Sequence, residues 1–218
     1  MVQMKHLTME QLDAGLDAIR KSPRDGGIVQ MIGRRPQTES REMLHECELD
    51  SLVGLVGDNW KARGSSQTSD GASHPDMQLT LMNARAIHLI AQDKERWLLA
   101  GDQLFVDMDL SCTNLPPGTR LAIGTAVVEI SPQPHTGCRK FVARFGLDAM
   151  KFVNSEVGRK LNLRGVNAKV VQNGVVRVGD IAMKCDGRTR TRSSKPLRGG
   201  NQRFHVASVS WLWPSSVR

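Results

Sequence analysis

Short runs in which apolar and polar residues alternate recur along most of the chain, and this period of two predicts half-buried strands. The clearest are GIVQMIGRRP from Gly27, the alternation of Met43, Cys47 and Leu49 with polar neighbours, and LFVDMDLS from Leu104. Many short strands separated by turns favour an antiparallel sheet that closes or bends strongly. We therefore predict a mainly β domain with a few helices, folded as a closed or strongly bent β-barrel.

Two turn signals predict hairpins within this barrel. The run TRLAIGTAVVEIS predicts a hairpin that turns at Gly124-Thr125, and VNAKVVQNGVVRVGD predicts a second at Asn173-Gly174. Asn-Gly is a strong signal for a type I′ turn, because both residues tolerate a positive φ.

Helical patterns are fewer. Thr8 and Gln11 have the spacing of a capping box, and Leu12, Leu16 and Ile19 then fall on one helical face. The run QLTLMNARAIHLIA begins as a strand and becomes a helix, and a further helix is expected after Cys138. We divide the chain into a helical lead-in (1–26), a barrel domain (27–183) and a tail (184–218).

The net charge of +8 would by itself suggest an anionic partner such as nucleic acid. However, residues 184–218 hold eight of the 30 Lys and Arg residues and one of the 22 Asp and Glu residues. The preceding part is therefore nearly neutral, and charge alone supports nucleic-acid binding by the tail, so we expect no nucleic-acid partner. We expect the Arg/Ser/Gly-rich tail to be disordered, and its deletion to leave the fold intact.

The four cysteines are far apart and form no CxxC pair, so neither a zinc knuckle nor a dithiol motif is available locally. We find no apolar segment of a signal peptide or a membrane span. These features predict a cytoplasmic protein with no membrane partner. Nucleophile-elbow, GxGxxG and Walker-type sequences are also missing, which excludes serine hydrolases and the common nucleotide-binding enzymes.

Cys138 is the residue most suited to chemistry. It stands in SPQPHTGCRKFVARFG, before a predicted helix and close to Arg139, Lys140 and Arg144. A thiolate is the nucleophile and the metal ligand, and cations and helix N-termini stabilise it. The alternative is a small buried cysteine beside the phenylalanines of the helix. His135 is a candidate proton carrier, or simply a polar residue of the loop.

The order of several motifs resembles the MOSC domain family, named for the C-terminal part of molybdenum cofactor sulfurases. The motifs are IGRRP, GLVGDNW, NLPPGTRLAIGTAVVEIS, the Cys138 position and LNLRGVNAKVVQNGVVRVGD, within about residues 27–181. The resemblance implies a β-barrel and an essential Cys138, which either carries sulfur as a persulfide or binds the molybdenum of a pterin cofactor. It also implies a stand-alone MOSC protein, because nothing resembles a pyridoxal-phosphate-dependent desulfurase domain.

The first functional hypothesis is a molybdenum-dependent oxidoreductase in which Cys138 binds molybdenum and N-hydroxylated molecules are the substrates. Thiolate is a soft ligand that suits this metal. Arg35, Lys140, Arg144 or Arg164 could pair with the pterin phosphate, since guanidinium groups bind phosphate with two hydrogen bonds. An electron-donor protein and a small-molecule substrate would then be the partners, and pyridoxal phosphate is not supported by any residue.

The second hypothesis is a sulfur carrier or binding module, in which Cys138 accepts sulfur from a cysteine desulfurase and passes it on. For either function, the irregular segment GLVGDNWKARGSSQTSD is expected to form one wall of the Cys138 site. Asp58 could hydrogen-bond a cofactor or orient a neighbouring arginine, and Trp60 could cover the pocket. The alternative is a turn in which Asp58 only caps the backbone and Trp60 packs on the barrel.

Overall fold

The computed structural model of the protein describes residues 6–185. Its strands are β1 (Gly27–Arg34), β2 (Glu42–Leu44), β3 (Glu46–Asp50), β4 (Gly54–Leu55), β5 (Leu79–Asn83), β6 (Leu104–Asp107), β7 (Arg120–Ile123), β8 (Ala126–Ile130), β9 (Val166–Gln172), β10 (Gly174–Arg177) and β11 (Ile181–Cys185). Its α-helices are α1 (Met9–Ala14), α2 (Leu16–Arg20), α3 (Trp60–Arg63), α4 (Ala84–Ala91), α5 (Arg139–Phe145), α6 (Leu147–Asn154) and α7 (Glu156–Lys160). Two 3₁₀ helices span Pro75–Met77 and Lys94–Ala100.

Seven strands close into a mixed β-barrel in the order β11-β7-β8-β9-β5-β6-β1, and β11 also pairs with β1. This confirms the predicted β-barrel. Strands β5 and β6 are parallel, whereas the other pairs of the barrel are antiparallel. Because a parallel pair needs a long crossover connection, the chain between them leaves the barrel through α4 and the 3₁₀ helix Lys94–Ala100.

The buried residues form two layers. The barrel interior holds one alternating set of strand side chains, such as Leu81, Leu104 and Val106. The intervening residues of the same strands, Met82 and Phe105, point outward and pack with the helices. Strands buried on both faces have few polar residues, which explains the nearly continuous apolar runs in β5 and β6.

Several local predictions are confirmed. Thr8 and Gln11 form the capping box of α1, and the β7–β8 hairpin turns at Gly124-Thr125, where Ile123 pairs with Ala126. Cys47 is buried in β3, and α4 follows β5 directly.

The predicted hairpin at Asn173-Gly174 is wrong. β9 pairs with β8 and β5 in the barrel, while β10 pairs with β3 in a separate three-stranded sheet, β10-β3-β4. Neither Asn173 nor Gly174 has the positive φ that a type I′ turn requires. Instead, the Asn173 side chain donates to Asp50 and accepts from the Ser51 amide, which directs the chain from the barrel into the small sheet.

The predicted tail boundary at residue 184 lies too early. Lys184 and Cys185 belong to β11, where they pair with Leu121 and Arg120 of β7. The predictions of disorder and of a dispensable tail otherwise concern residues 186–218, which lie outside the described residues. Within residues 6–185, no helix is long and apolar enough to cross a membrane.

Candidate functional site

Cys138 is an exposed residue at the N-cap of α5, and its side chain makes no capping hydrogen bond. The loop before it is fixed from α6, because the Asn154 side chain accepts from the Gly137 amide at 2.9 Å and donates to the Gly137 carbonyl at 3.1 Å. The helix begins at once, since the Cys138 carbonyl accepts from the amides of Phe141 and Val142. The thiol is thus held at a defined place and remains accessible.

We expect Cys138 to be alkylated fastest among Cys47, Cys112 and Cys138. Cys47 is buried, and burial raises the pKa of its thiol to about 12. Cys112 is exposed, but its thiol is engaged in a hydrogen bond to the Arg159 carbonyl at 3.4 Å. Competitive labelling near neutral pH, read by mass spectrometry, measures the three rates. Faster labelling of Cys112 than of Cys138 would contradict the assignment.

A cleft of about 250 Å³ rich in cations, called the basic cleft, lies beside the start of α5. It is lined by Arg35, Gln37, Thr38, Glu39, Arg41, Asn59, Arg63 and Lys140. Burial and neighbouring cations lower the pKa values of two arginines of this cleft. Burial and then Arg144 lower the pKa of Arg41, and burial and then Arg35 lower the pKa of Arg63. Such a concentration of guanidinium groups favours an anionic ligand.

Asp58 fixes Arg35 at the wall of the basic cleft. Its carboxylate accepts from Arg35 Nε at 3.0 Å, from Arg35 Nη2 at 2.9 Å and from the amides of Arg35 and Trp60. Burial raises the pKa of Asp58, but the hydrogen bonds from Arg35 more than offset this, and the pKa is lowered overall. Each carboxylate oxygen already accepts two hydrogen bonds. The geometry therefore favours the arginine-orienting role that the sequence left open over direct contact with a cofactor.

For Trp60, the structure follows the alternative that the sequence left open for the 54–70 segment. Trp60 is only 4% exposed, so it packs into the protein and does not cover a pocket. Gly57 has a φ of +83°, and a side chain there would meet the Arg34 guanidinium, which explains the glycine at this tight approach.

Glu39 bridges two of the three cations of α5. Its carboxylate pairs with Lys140 Nζ at 3.1 Å and with Arg144 Nη2 at 2.8 Å. Hydrogen bonds from Lys140 and then Arg144 lower the pKa of Glu39. Part of the positive charge near Cys138 is therefore neutralised within the protein, which sequence spacing could not reveal.

A second cleft of about 240 Å³, called the proline cleft, contains Pro117, Pro132, Pro134 and His135 in its lining. Arg164, Arg159 and Cys112 also line it. Its charged lining residues are cationic. Along the chain, Cys138 lies between His135 of the proline cleft and Lys140 of the basic cleft.

His135 and Arg164 meet at Asp102, whose side chain is fully buried. Arg164 Nη1 donates to Asp102 Oδ2 at 2.6 Å, while His135 Nδ1 lies 3.5 Å from Asp102 Oδ1. Burial, followed by Arg164 and Arg35, lowers the pKa of His135, so the imidazole is neutral near pH 7. Burial raises the pKa of Asp102, and the Arg164 charge opposes this rise.

Three successive backbone carbonyls at the end of the 3₁₀ helix Lys94–Ala100 accept hydrogen bonds from arginines of the site. Leu99 accepts from Arg144, Ala100 accepts from Arg164, and Gly101 accepts from Arg35, at 2.8, 2.8 and 3.0 Å. We call residues 99–102 the acceptor segment, since Asp102 completes it. Cations suit the carbonyl end of a helix.

The structure thus separates the predicted site residues into two groups. Arg35, Asp58, Lys140 and Arg144 surround the basic cleft, whereas His135 and Arg164 belong to the proline cleft. Sequence reasoning missed three further residues, Arg41, Arg63 and Asp102. In the sequence, only their charge distinguishes Arg41 and Arg63. No neighbouring residue indicates that Asp102 pairs with Arg164, which lies 62 positions away.

The family model of the MOSC domain matches residues 74–182, half of the chain. The protein belongs to the MOSC domain family. The matched part begins after β1 and includes β5 to β10, so it holds most of the barrel, both sides of the proline cleft and the Cys138 loop. Membership of this family associates the protein with the molybdenum cofactor or with sulfur chemistry.

Solved structures are similar to this chain. The YuaD protein from Bacillus subtilis has a TM-score of 0.50 at 15% identity, over 72% of this chain and 93% of that chain. YiiM from Escherichia coli has a TM-score of 0.47 at 19% identity, over 72% of this chain and 69% of that chain. No curated protein matches the chain. At these identities the likeness concerns the fold alone.

Proposed function

We propose that this MOSC protein binds a molybdenum-pterin cofactor with the Cys138 thiolate as metal ligand and reduces small N-hydroxylated molecules. The observation that carries the proposal is the exposed thiol of Cys138, which has residues of two clefts, one of them basic, on its two sides along the chain. Within residues 6–185 no group of three or more His, Cys, Asp or Glu side chains could hold a metal ion. A metal bound here would have the Cys138 sulfur as its protein ligand and would bring its other ligands with it, as the molybdenum of a pterin cofactor does.

The basic cleft fits the phosphate of such a cofactor. Arg35 is held by Asp58 and the Gly101 carbonyl, so its position is fixed before a ligand arrives. Arg41, Arg63 and Lys140 line the same cleft and add positive potential. Glu39 would release Lys140 and Arg144 when a more highly charged phosphate approaches.

The proline cleft fits a small substrate, because its volume is about 240 Å³ and it presents a neutral histidine among proline, apolar, polar and arginine side chains. When bound, the cofactor supplies two-electron chemistry at molybdenum. Conversion of an N–OH group to N–H consumes two electrons and two protons and releases water. The neutral His135 ring would first take up a proton from solvent on its free nitrogen and then pass it to the departing oxygen, and an electron-donor protein would supply the electrons.

Molybdenum content provides the test. We expect the protein purified from a host that makes the cofactor to contain about one molybdenum per chain, and Cys138→Ser to lose it. Cys112→Ser is the matched control, because Cys112 is also exposed but engages a carbonyl, and it should keep the metal. Equal molybdenum in the wild-type protein and Cys138→Ser would contradict the role of the thiolate.

The exposure of Cys138 also supports a second function, since a partner desulfurase could reach this sulfur directly. In that case Cys138 would carry a persulfide and the protein would have no redox cycle of its own. Metal-free protein with cyanide-labile sulfur on Cys138 would favour this sulfur carrier over the oxidoreductase.

A further inference from the structure

One oxygen of the buried Asp102 carboxylate has no hydrogen-bond partner. Oδ2 accepts from Arg164, but Oδ1 is buried and accepts no hydrogen bond within residues 6–185. The Thr80 hydroxyl helps to lower the pKa of Asp102, but it donates to Gln103 Oε1 at 2.7 Å. A buried charged oxygen without a partner is costly, and most such groups in proteins are satisfied. Asp102 Oδ1 therefore calls for a donor within the protein.

The atom facing this oxygen is His135 Nδ1, at 3.5 Å. Nδ1 is itself buried and has no hydrogen-bond partner. The two unpartnered atoms lie just beyond hydrogen-bond distance, and such pairs often shorten when a ligand binds. Burial raises the pKa of Asp102, but the Arg164 guanidinium, which donates to Oδ2 at 2.6 Å, opposes this and favours the carboxylate form. In that form Oδ1 accepts, and the proton of the pair lies on Nδ1.

The other ring nitrogen then faces a ligand. His135 lines the proline cleft, and its Nε2 is neither buried nor hydrogen-bonded among the described residues. A neutral imidazole has one N–H and one lone pair. With the hydrogen on Nδ1, Nε2 presents its lone pair to the cleft.

We propose that Asp102 is a positioning residue that holds His135 as the Nδ1–H tautomer, so that Nε2 accepts a hydrogen bond from the ligand of the proline cleft. The ligand of the proline cleft is then a small molecule with an N–H or O–H group that donates to Nε2, such as a hydroxylamino group. This deepens the proposed function and rests on it for the reaction. The low pKa of His135 supports a neutral ring, which Arg164 and Arg35 help to maintain.

Nitrogen-15 NMR of the metal-free, full-length protein reads the tautomer directly. The chain has six histidines, and the signals that disappear in His135→Gln identify the ring. We expect Nδ1 of His135 in the protonated range and Nε2 in the unprotonated range. Protonated Nε2 in the wild-type protein would overturn the proposal.

Asp102→Asn provides the second arm. Its amide oxygen can still accept from Arg164, which turns the NH2 group toward His135 Nδ1 and makes that nitrogen an acceptor. We expect the tautomer to switch to Nε2–H, a change that a merely structural role would not produce. An unchanged tautomer in a folded variant would overturn the proposal, and if the variant does not fold, the wild-type spectrum decides.

The ligand class is tested with N,N-diethylhydroxylamine, whose O–H is its one hydrogen-bond donor, and with its O-methyl ether, which has no donor, as the matched control. N,N-diethylhydroxylamine should shift the His135 Nε2 signal more than the ether does. Equal shifts would overturn the donor class. These measurements contain no cofactor, so their failure is distinct from a failure of the molybdenum-content test.

Discussion

Asp58→Ala is expected to lower the free energy of unfolding by about 3–5 kcal/mol, because it leaves the largely buried Arg35 guanidinium without its counter-charge. The Arg35 side chain is 12% exposed and that of Asp58 is 0% exposed. The variant also removes the acceptors of two backbone amides. Urea unfolding of the full-length protein, followed by circular dichroism, measures the loss.

Glu42→Ala is the matched control for this variant. Glu42 pairs with Arg34, next to Arg35, but the two side chains are 42% and 32% exposed. Solvent-exposed ion pairs contribute less than about 1 kcal/mol, so this substitution should change stability little. An unfolding midpoint of Asp58→Ala that matches the wild type, combined with loss of bound molybdenum, would instead make Asp58 a direct cofactor contact.

Removal of β11 is expected to abolish cooperative unfolding of the barrel. We compare a chain that ends at Cys185 with one that ends at Asp180, so both lack residues 186–218 and differ only by Ile181–Cys185. Strand β11 pairs with both β1 and β7, and Ala182 is fully buried. Its loss removes ladder hydrogen bonds of about 1 kcal/mol each and leaves two open strand edges.

Thermal unfolding and aggregation of the two truncated chains provide the measurement. The chain that ends at Cys185 should unfold in one transition, and the chain that ends at Asp180 should show no sharp transition and should associate. Equal midpoints for the two chains would mean that β11 does not close the barrel.

The sequence predicts a strand well where apolar and polar residues alternate with a period of two. The alternation in β1, β3 and β6 is local, so it is visible without knowledge of partners. Strand pairing is not local, and the Asn173-Gly174 error shows why. The residue types suit a hairpin turn, but the pairing of β10 with β3, more than 120 residues earlier, decides the path of the chain.

The candidate site likewise has a part that the local sequence predicts and a part that depends on residues distant in sequence. Cys138 and the cations of α5 are recognisable from neighbouring residues, because a cysteine before a helix and close to cations is a local pattern. The partners that fix them are distant in sequence: Glu39 holds Lys140 and Arg144, and Asp102 holds Arg164. Ion pairs across 62 to 105 positions leave no spacing pattern in a single sequence.

The acceptor segment has a consequence for redesign of this protein. Its contacts at Leu99 and Ala100 use carbonyl oxygens, so those side chains can be exchanged for others of similar size without removing an acceptor from Arg144 or Arg164. Gly101 is different, because its φ of +84° suits glycine, and a bulkier residue would strain the peptide that holds Arg35. The acceptor segment holds arginines of both the basic cleft and the proline cleft. A library of variants at Gly101 would therefore disturb both clefts at once, whereas a library at Leu99 would leave both in place.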